Sequence, residues 1–346
     1  MSAAISTLIG WAERAPAPDL LVKAGIGALV GRTARKLVDV GEADEAAFAA
    51  DMRRFPIATH VGDANAQHYE VPAAFFDIVL GARRKYSCCL FENARMTLDD
   101  AEERALAATV ENAGLQDGMR ILELGCGWGS LTLYMAQTLP RARIVGVSNS
   151  HSQRASILER ARALGLTNVE IVTADMNEFR AQQRFDRIVS VEMFEHMSNW
   201  DALLARCRTW LEADGRLFLH VFTHTHASYR FDHADKSDWI AQHFFTGGVM
   251  PSQTLPRRFP ERFDVESEWR WSGEHYARTA RAWLERFDAR AGEVEAILRP
   301  VYGAETRVWM NRWRWFFLAT EGLFGHDGGR VWGVGHFLMR PTNAPA

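Results

Sequence analysis

A chain of 346 residues is long enough for one large domain or two modest ones. Its 47% hydrophobic and 24% charged residues exclude intrinsic disorder and collagen-like repeats. A net charge of −3 leaves no global positive field for nucleic acid, so no nucleic-acid partner is expected.

Residues 1–85 read as a helical N-terminal region, ahead of a domain over residues 86–346. The start, Met1-Ser-Ala-Ala-Ile, lacks the basic segment of a secretory leader, and the apolar run 24–31 is too short to span a bilayer. The four cysteines (Cys88, Cys89, Cys126 and Cys207) form neither a disulfide framework nor a paired CxxC metal site. A cytoplasmic protein with reduced thiols and no metal is therefore expected. Basic clusters at Arg32, Arg35, Lys36 and at Arg83, Arg84, Lys85 leave room for transient contact with a membrane surface. Ten basic and ten acidic residues cancel over 1–85, however, and a solvated helical face is the plainer reading.

From residue 120 an α/β rhythm sets in. Arg120–Leu124, Arg143–Val147, Val169–Val172, Phe185–Val191 and Arg216–Phe222 read as short apolar strands. Helices are expected over Trp128–Thr138, Ser152–Leu164 and Asn199–Leu211. That alternation implies an α/β fold whose mostly parallel sheet is covered on both faces. Beyond Phe222 the rhythm breaks. Residues 223–257 are rich in His, aromatics and Gly without a strand pattern, and 274–322 look helical with Arg-Trp-rich amphipathic stretches. Residues 263–271 and Val331–Met339 return to strand-like sequence, so the two irregular stretches are expected to be cap insertions. Eight of the 12 Trp lie after residue 238, where they fill either core or an apolar pocket. His224 and His226 are expected to line the cap or face solvent, lacking a third partner for a metal.

Glu123-Leu-Gly-Cys-Gly-Trp-Gly falls where the first strand meets the first helix of the rhythm. Its glycines allow a tight turn and close backbone approach to a ligand, and the helix start offers free amides. A dinucleotide fold would use GxGxxG here. The spacing of Gly125, Gly127 and Gly129 behind the acidic Glu123 is instead the S-adenosylmethionine-type loop. The second strand ends in Val147-Ser-Asn-Ser without the usual acidic residue, so Asn149 and Gln153 are expected to bond a ribose diol. Asp175, after the third strand, is placed to meet the adenine. The fourth strand ends in Val191-Glu-Met-Phe-Glu-His. If that segment turns into helix, Glu192, Glu195 and His196 share one face, suited either to proton transfer or to a salt-bridged helix start.

Tyr86-Ser-Cys-Cys, the loop 123–129 and Glu192-Met-Phe-Glu-His together resemble the cyclopropane-fatty-acid synthase and coclaurine N-methyltransferase family, over about residues 66–340. The resemblance implies a Rossmann-like class I methyltransferase with a mostly parallel seven-stranded sheet and helical caps. It implies S-adenosyl-L-methionine as cofactor, held by Tyr86, Ser87, Gly125, Gly127 and Gln153. In the amine-methylating branch, positions matching Glu192, Glu195 and His196 handle the amine and its proton. In the cyclopropane branch, positions matching Cys88, Glu195, His220 and Tyr276 hold a bicarbonate ion. This chain carries both sets. Four ion-ligand positions and an aromatic second half favour chemistry on the double bond of an unsaturated acyl chain, assisted by bicarbonate. Methylation of a small apolar amine is the alternative, and a non-catalytic cofactor-binding module the third reading. The acceptor is thus expected to be a lipid or a small molecule.

Overall fold

The computed structural model describes residues 10, 12–14, 17–59, 71–231, 234 and 238–342. Helices Asp19–Leu37 (α1), Glu42–Met52 (α2) and Ala73–Val79 (α3) precede Leu98–Asn112 (α4). Thr97 and Asp100 form a capping box that fixes the start of α4. The alternating core follows as Arg120–Leu124 (β1), Ser130–Thr138 (α5), Arg143–Ser148 (β2), His151–Ala163 (α6), Val169–Thr173 (β3) and Phe185–Val191 (β4). Trp200–Trp210 (α7) runs straight into Leu211–His224 (β5). The five-residue helix Trp239–His243 (α8) leads towards Phe263–Ser272 (β6), Gly273–Ala289 (α9), Ala291–Tyr302 (α10), Thr306–Phe324 (α11) and Trp332–Pro341 (β7). Side chains of Ser150 and Asn199 accept from the first-turn amides of α6 and α7, which is why those helices begin where they do.

The seven strands pair in the order β3-β2-β1-β4-β5-β7-β6. Strands β1 to β5 are mutually parallel, and β7 runs antiparallel between β5 and β6. The expected mostly parallel, seven-stranded α/β sheet is therefore the observed one. Strand β5 starts earlier than its apolar run predicts, because Leu211 already pairs with Phe185 ahead of a register shift. The stretch 223–257 is not strandless. Tyr229–Arg230 and Val249–Met250 form a two-residue antiparallel pair, too short for alternation to show in sequence. The helical stretch 274–322 resolves into three helices, divided at Arg290 and at Gly303, whose φ is +52°.

The carboxyl ends of β1, β2 and β4 open onto one crevice, where open α/β sheets place their ligands. Above it lie the residues after β5 and the helices α9 and α11. Buried Phe75, Phe76, Trp283, Phe287, Trp313 and Phe317 join α3 to these helices, so the N-terminal helices brace the cap.

Candidate active site

A cavity of about 190 Å³ fills the crevice. One wall is the segment before α4, held in place by a single carboxylate. Glu102, fully buried on α4, accepts backbone N–H bonds from Gly81 at 2.9 Å, Arg83 at 2.7 Å and Lys85 at 3.1 Å. Burial pushes its pKa up to about 7, against the pull of those amides. The loop so fixed delivers Tyr86 and Ser87 to the cavity wall. Lys85, also buried, donates from Nζ to Ser87 Oγ at 2.5 Å and to the Cys88 carbonyl at 2.7 Å.

Opposite stands Glu192, the residue after β4. Its backbone is left-handed, with φ +47°, a strained conformation for a side chain of this size. The amide of Glu192 still donates to the His220 carbonyl at 2.8 Å, so the bend begins while β4 is pinned to β5. The bend aims the carboxylate at three donors. Oε1 accepts from the Cys88 amide at 2.9 Å and pairs with His220 Nε2 at 3.2 Å, and Oε2 accepts from the Tyr276 hydroxyl at 2.6 Å. Burial raises the Glu192 pKa, while the charge of Lys85, the Tyr276 and Cys88 bonds and His196 pull it back.

The shared helical face expected for Glu192, Glu195 and His196 does not form. Positive φ takes Glu192 out of any helix, and only Phe194–His196 make a single 3₁₀ turn. His196 reaches the cavity, its ring stacked on Phe245 with centroids 4.5 Å apart. Glu195 points the other way and does not line the cavity. Its Oε1 accepts from the Phe222 amide at 2.7 Å, and Oε2 has no partner among the described residues. Burial and the nearby Glu192 raise its pKa, and its bond to the Phe222 amide straps the turn to β5.

Cys88 meets the site through its backbone. Its thiol is buried, 3.4 Å from the Cys89 carbonyl, and pushed well above the ordinary thiol pKa by burial; only its backbone amide faces the site. His220 lies behind Glu192 rather than on the cavity wall, and Tyr276 projects from α9 onto it. Thus Cys88, His220 and Tyr276 do converge, but on the carboxylate of Glu192.

The cofactor side is built by the loops after β1, β2 and β3. Gly125, with φ +79°, leaves no room for a Cβ, which would lie 2.6 Å from Met193 Cβ. Gly127, with φ +50°, has no protein atom within 4 Å of a Cβ and so presents bare backbone to the cavity. Gly129 sits behind them as the N-cap of α5 and is not on the wall. Glu123 lines the cavity with its Oε2 bonded to Thr132 at 2.5 Å, and burial raises its pKa to about 7. Ser130 Oγ, at the first turn of α5 on the same wall, is buried without a partner among the described residues. Asn149, Gln153 and Asp175 line the far end, with Gln153 Oε1 held by Ser148 Oγ at 2.7 Å. Exposed glycine backbone, an unpaired hydroxyl, a polar amide pair and two acidic residues fit S-adenosylmethionine, whose sulfonium and ammonium are cationic.

Of the eight late Trp only Trp283 lines the cavity, joined by Phe245, Tyr276 and Phe316. Trp313 and Trp332 are core, as is Phe317, whereas Phe316 belongs to the wall. His224 Nδ1 accepts from the amides of His226 and Ala227 and so caps a turn. Two features escape the sequence reading. Lys85 hides inside an exposed-looking basic cluster. His336 is the lone ionisable side chain in the apolar run Val334-Gly-His-Phe-Leu, and that oddity was the available signal.

A solved coclaurine N-methyltransferase, bound to N-methylheliamine and SAH, superposes with a TM-score of 0.93 at 33% identity, covering 97% of this chain and 99% of that one. (S)-coclaurine N-methyltransferase of Thalictrum flavum subsp. glaucum is 37% identical over 84% of this chain and 81% of its own length. The cyclopropane-fatty-acyl-phospholipid synthase of Escherichia coli (strain K12) is 33% identical over 66% of this chain and 57% of its own. The mycobacterial cyclopropane synthase MmaA2, with a TM-score of 0.69 at 24% identity, shares the fold. The protein is accordingly an enzyme, a class I S-adenosylmethionine-dependent methyltransferase. Residues 58–331 match the mycolic acid cyclopropane synthetase family, and the chain belongs to it.

Proposed function

We propose that this enzyme methylates the nitrogen of a small apolar amine and that Glu192 is its base. One observation carries the reading: the amide of Cys88, the His220 ring and the Tyr276 hydroxyl all converge on the Glu192 carboxylate. In the cyclopropane branch, positions matching these residues hold bicarbonate. Here a free anion would have to displace a covalently attached carboxylate from three partners. Glu192 supplies in the chain what that branch borrows from solution, and bicarbonate is not needed. The expectation of alkene chemistry on a lipid gives way on this point. The 37% identity to a coclaurine N-methyltransferase over 84% of the chain supports the same side.

An amine near neutral pH arrives as an ammonium and must lose a proton before its lone pair can attack. Glu192, raised in pKa by burial yet kept ionisable by its donors, is the stronger base for that transfer. The aromatic faces of Phe245, Tyr276, Trp283 and Phe316 stabilise the incoming cation and cover the apolar remainder. His196, stacked on Phe245, stands where it can orient the nitrogen. Tyr86, Ser87, Glu123, Gly125, Gly127, Asn149, Gln153 and Asp175 would hold S-adenosylmethionine, which when bound supplies an electrophilic methyl group. After transfer the product nitrogen is again cationic and meets the same wall.

The test is incubation of methyl-labelled S-adenosylmethionine with a panel of apolar amines and, separately, with an unsaturated phospholipid. Label is expected on amine nitrogen and absent from lipid. Label in the acyl chain with every amine inert would overturn the reading.

A further inference from the structure

Behind Glu192 runs a chain of polar side chains that the reaction does not itself require. His220 on β5 and His336 on β7 stand directly opposite in the antiparallel register. Both are fully buried, and His336 Nε2 lies 2.8 Å from His220 Nδ1. His336 Nδ1 in turn lies 3.0 Å from Nδ2 of Asn112, the last residue of α4, which is half-buried. Trp271 on β6 packs against both rings, with centroids 5.3 and 4.3 Å away, so neither imidazole is free to turn.

The direction of the hydrogen bonds can be deduced from either end. An ionised carboxylate only accepts, so at Glu192 the proton must sit on His220 Nε2. A neutral imidazole then offers Nδ1 as acceptor, which obliges His336 to donate from Nε2. His336 Nδ1 is left as an acceptor and needs a donor, and Asn112 presents its Nδ2 there. Both ends give the same answer. Two apolar-flanked histidines back to back would otherwise be free to choose either polarity, and one of the two aims a lone pair at Glu192.

We propose that Asn112 and His336 are positioning residues that fix the direction of this chain, so that His220 always presents an N–H to Glu192. The amide of Asn112 selects the tautomer of His336, His336 selects that of His220, and His220 keeps the base oriented and ionisable. The inference rests on Glu192 being the residue that meets the acceptor amine, but its test can be read without any acceptor. The other titratable groups facing these residues are Lys85 and Cys88 from the loop before α4, Glu195 and His196 after β4, and Tyr276 on α9. All of them are left in place by the variants below.

The experiment is ¹⁵N NMR of histidine side chains in the full-length protein, with His220→Gln and His336→Gln used for assignment. Both rings are expected to be neutral with the proton on Nε2 from pH 6 to 8. A proton on Nδ1 of either ring, or a charged ring, overturns the proposal. Asn112→Asp replaces the terminal donor by an acceptor at a half-buried position. It is expected to raise the acid limb of the kcat/KM profile by about one pH unit, roughly tenfold in rate at a fixed acidic pH. His336→Gln keeps a donor towards His220 and should retain the wild-type limb, whereas His336→Leu should shift it as Asn112→Asp does. Identical limbs for all three variants, with thermal unfolding showing each folded, overturn the proposal. Should the tautomers be as stated and no amine be methylated, the function above fails and the direction of the chain stands.

Discussion

Tyr276 donates its hydroxyl to Glu192 Oε2 at 2.6 Å, a bond between a cap helix and the last bend of a sheet strand. The cap therefore does more than cover the cavity, because one of its side chains helps to set the charge of the Glu192 carboxylate beneath it. Tyr276 is itself pushed well above the ordinary phenol pKa by burial and by Glu192, so across neutral pH it donates and does not ionise. Removing the hydroxyl removes one of the influences that lower the Glu192 pKa. Tyr276→Phe is expected to move the acid limb of kcat/KM to higher pH, with a loss of about tenfold below the limb and little above it. A pH–rate profile of the variant checks this, and a uniform loss at every pH would contradict it.

Gly125 and Gly127 are both left-handed, but they are so for different partners. A Cβ at Gly125 would strike Met193, the neighbour of Glu192, whereas a Cβ at Gly127 would meet only cavity. Gly125→Ala should therefore destabilise the fold, and thermal unfolding should show it. Gly127→Ala carries only the conformational cost, about 1–2 kcal/mol. Its larger effect should appear in calorimetry, as about tenfold or greater weakening of S-adenosylmethionine binding. Equal losses of stability and equal affinities for the two variants would contradict the assignment of Gly127 to the cofactor.

Glu102 and Glu123 both have pKa values raised from 4.5 to about 7 by burial. A group that the fold holds protonated stabilises it below the unfolded pKa, and that stabilisation is lost as pH rises through the folded pKa. Glu102 and Glu123 therefore contribute a loss of stability to the unliganded protein between pH 4.5 and 7, opposed over part of that range by His220, His224, His275 and His336, whose pKa values burial lowers. Each group contributes up to about 3 kcal/mol to that change. Glu13, held near 2 by His243, Arg312 and Trp239, titrates below this window and does not mask it. Between pH 4.5 and 7 the unfolding temperature of Glu123→Gln should rise relative to that of the wild type, because the variant lacks the Glu123 share of the loss, while cofactor binding weakens. A slope as steep as that of the wild type would contradict it.

The parts of the fold that repeat are the parts the sequence displays. Short apolar strands mark β1 to β5, with helices after β1, β2 and β4, and Gly125 and Gly127 punctuate the loop where backbone meets the cofactor cavity. The site is less legible because it depends on conformations that no periodicity encodes. Helical spacing groups Glu192 with Glu195, yet a left-handed bend at Glu192 sends the two carboxyls to different environments. At Cys88 the site uses the backbone amide, which any residue but proline would supply, so the residue type carries no signal of that role. His220 and His336 lie 116 positions apart and become neighbours only through the register of β5 with β7.

The proposed role of Glu192 is to provide, within the chain, a carboxylate that relatives on the cyclopropane side take from solution. Its most direct test is amine turnover by the wild type and by Glu192→Gly, each in carbonate-depleted buffer and again with added bicarbonate or formate. The wild type should be indifferent to both anions. Glu192→Gly should lose about 10²- to 10⁴-fold in rate and recover part of it when either anion is added, because Cys88, His220 and Tyr276 remain as donors around the space. A wild type that needs bicarbonate, or a Glu192→Gly variant as active as the wild type without it, would contradict the account.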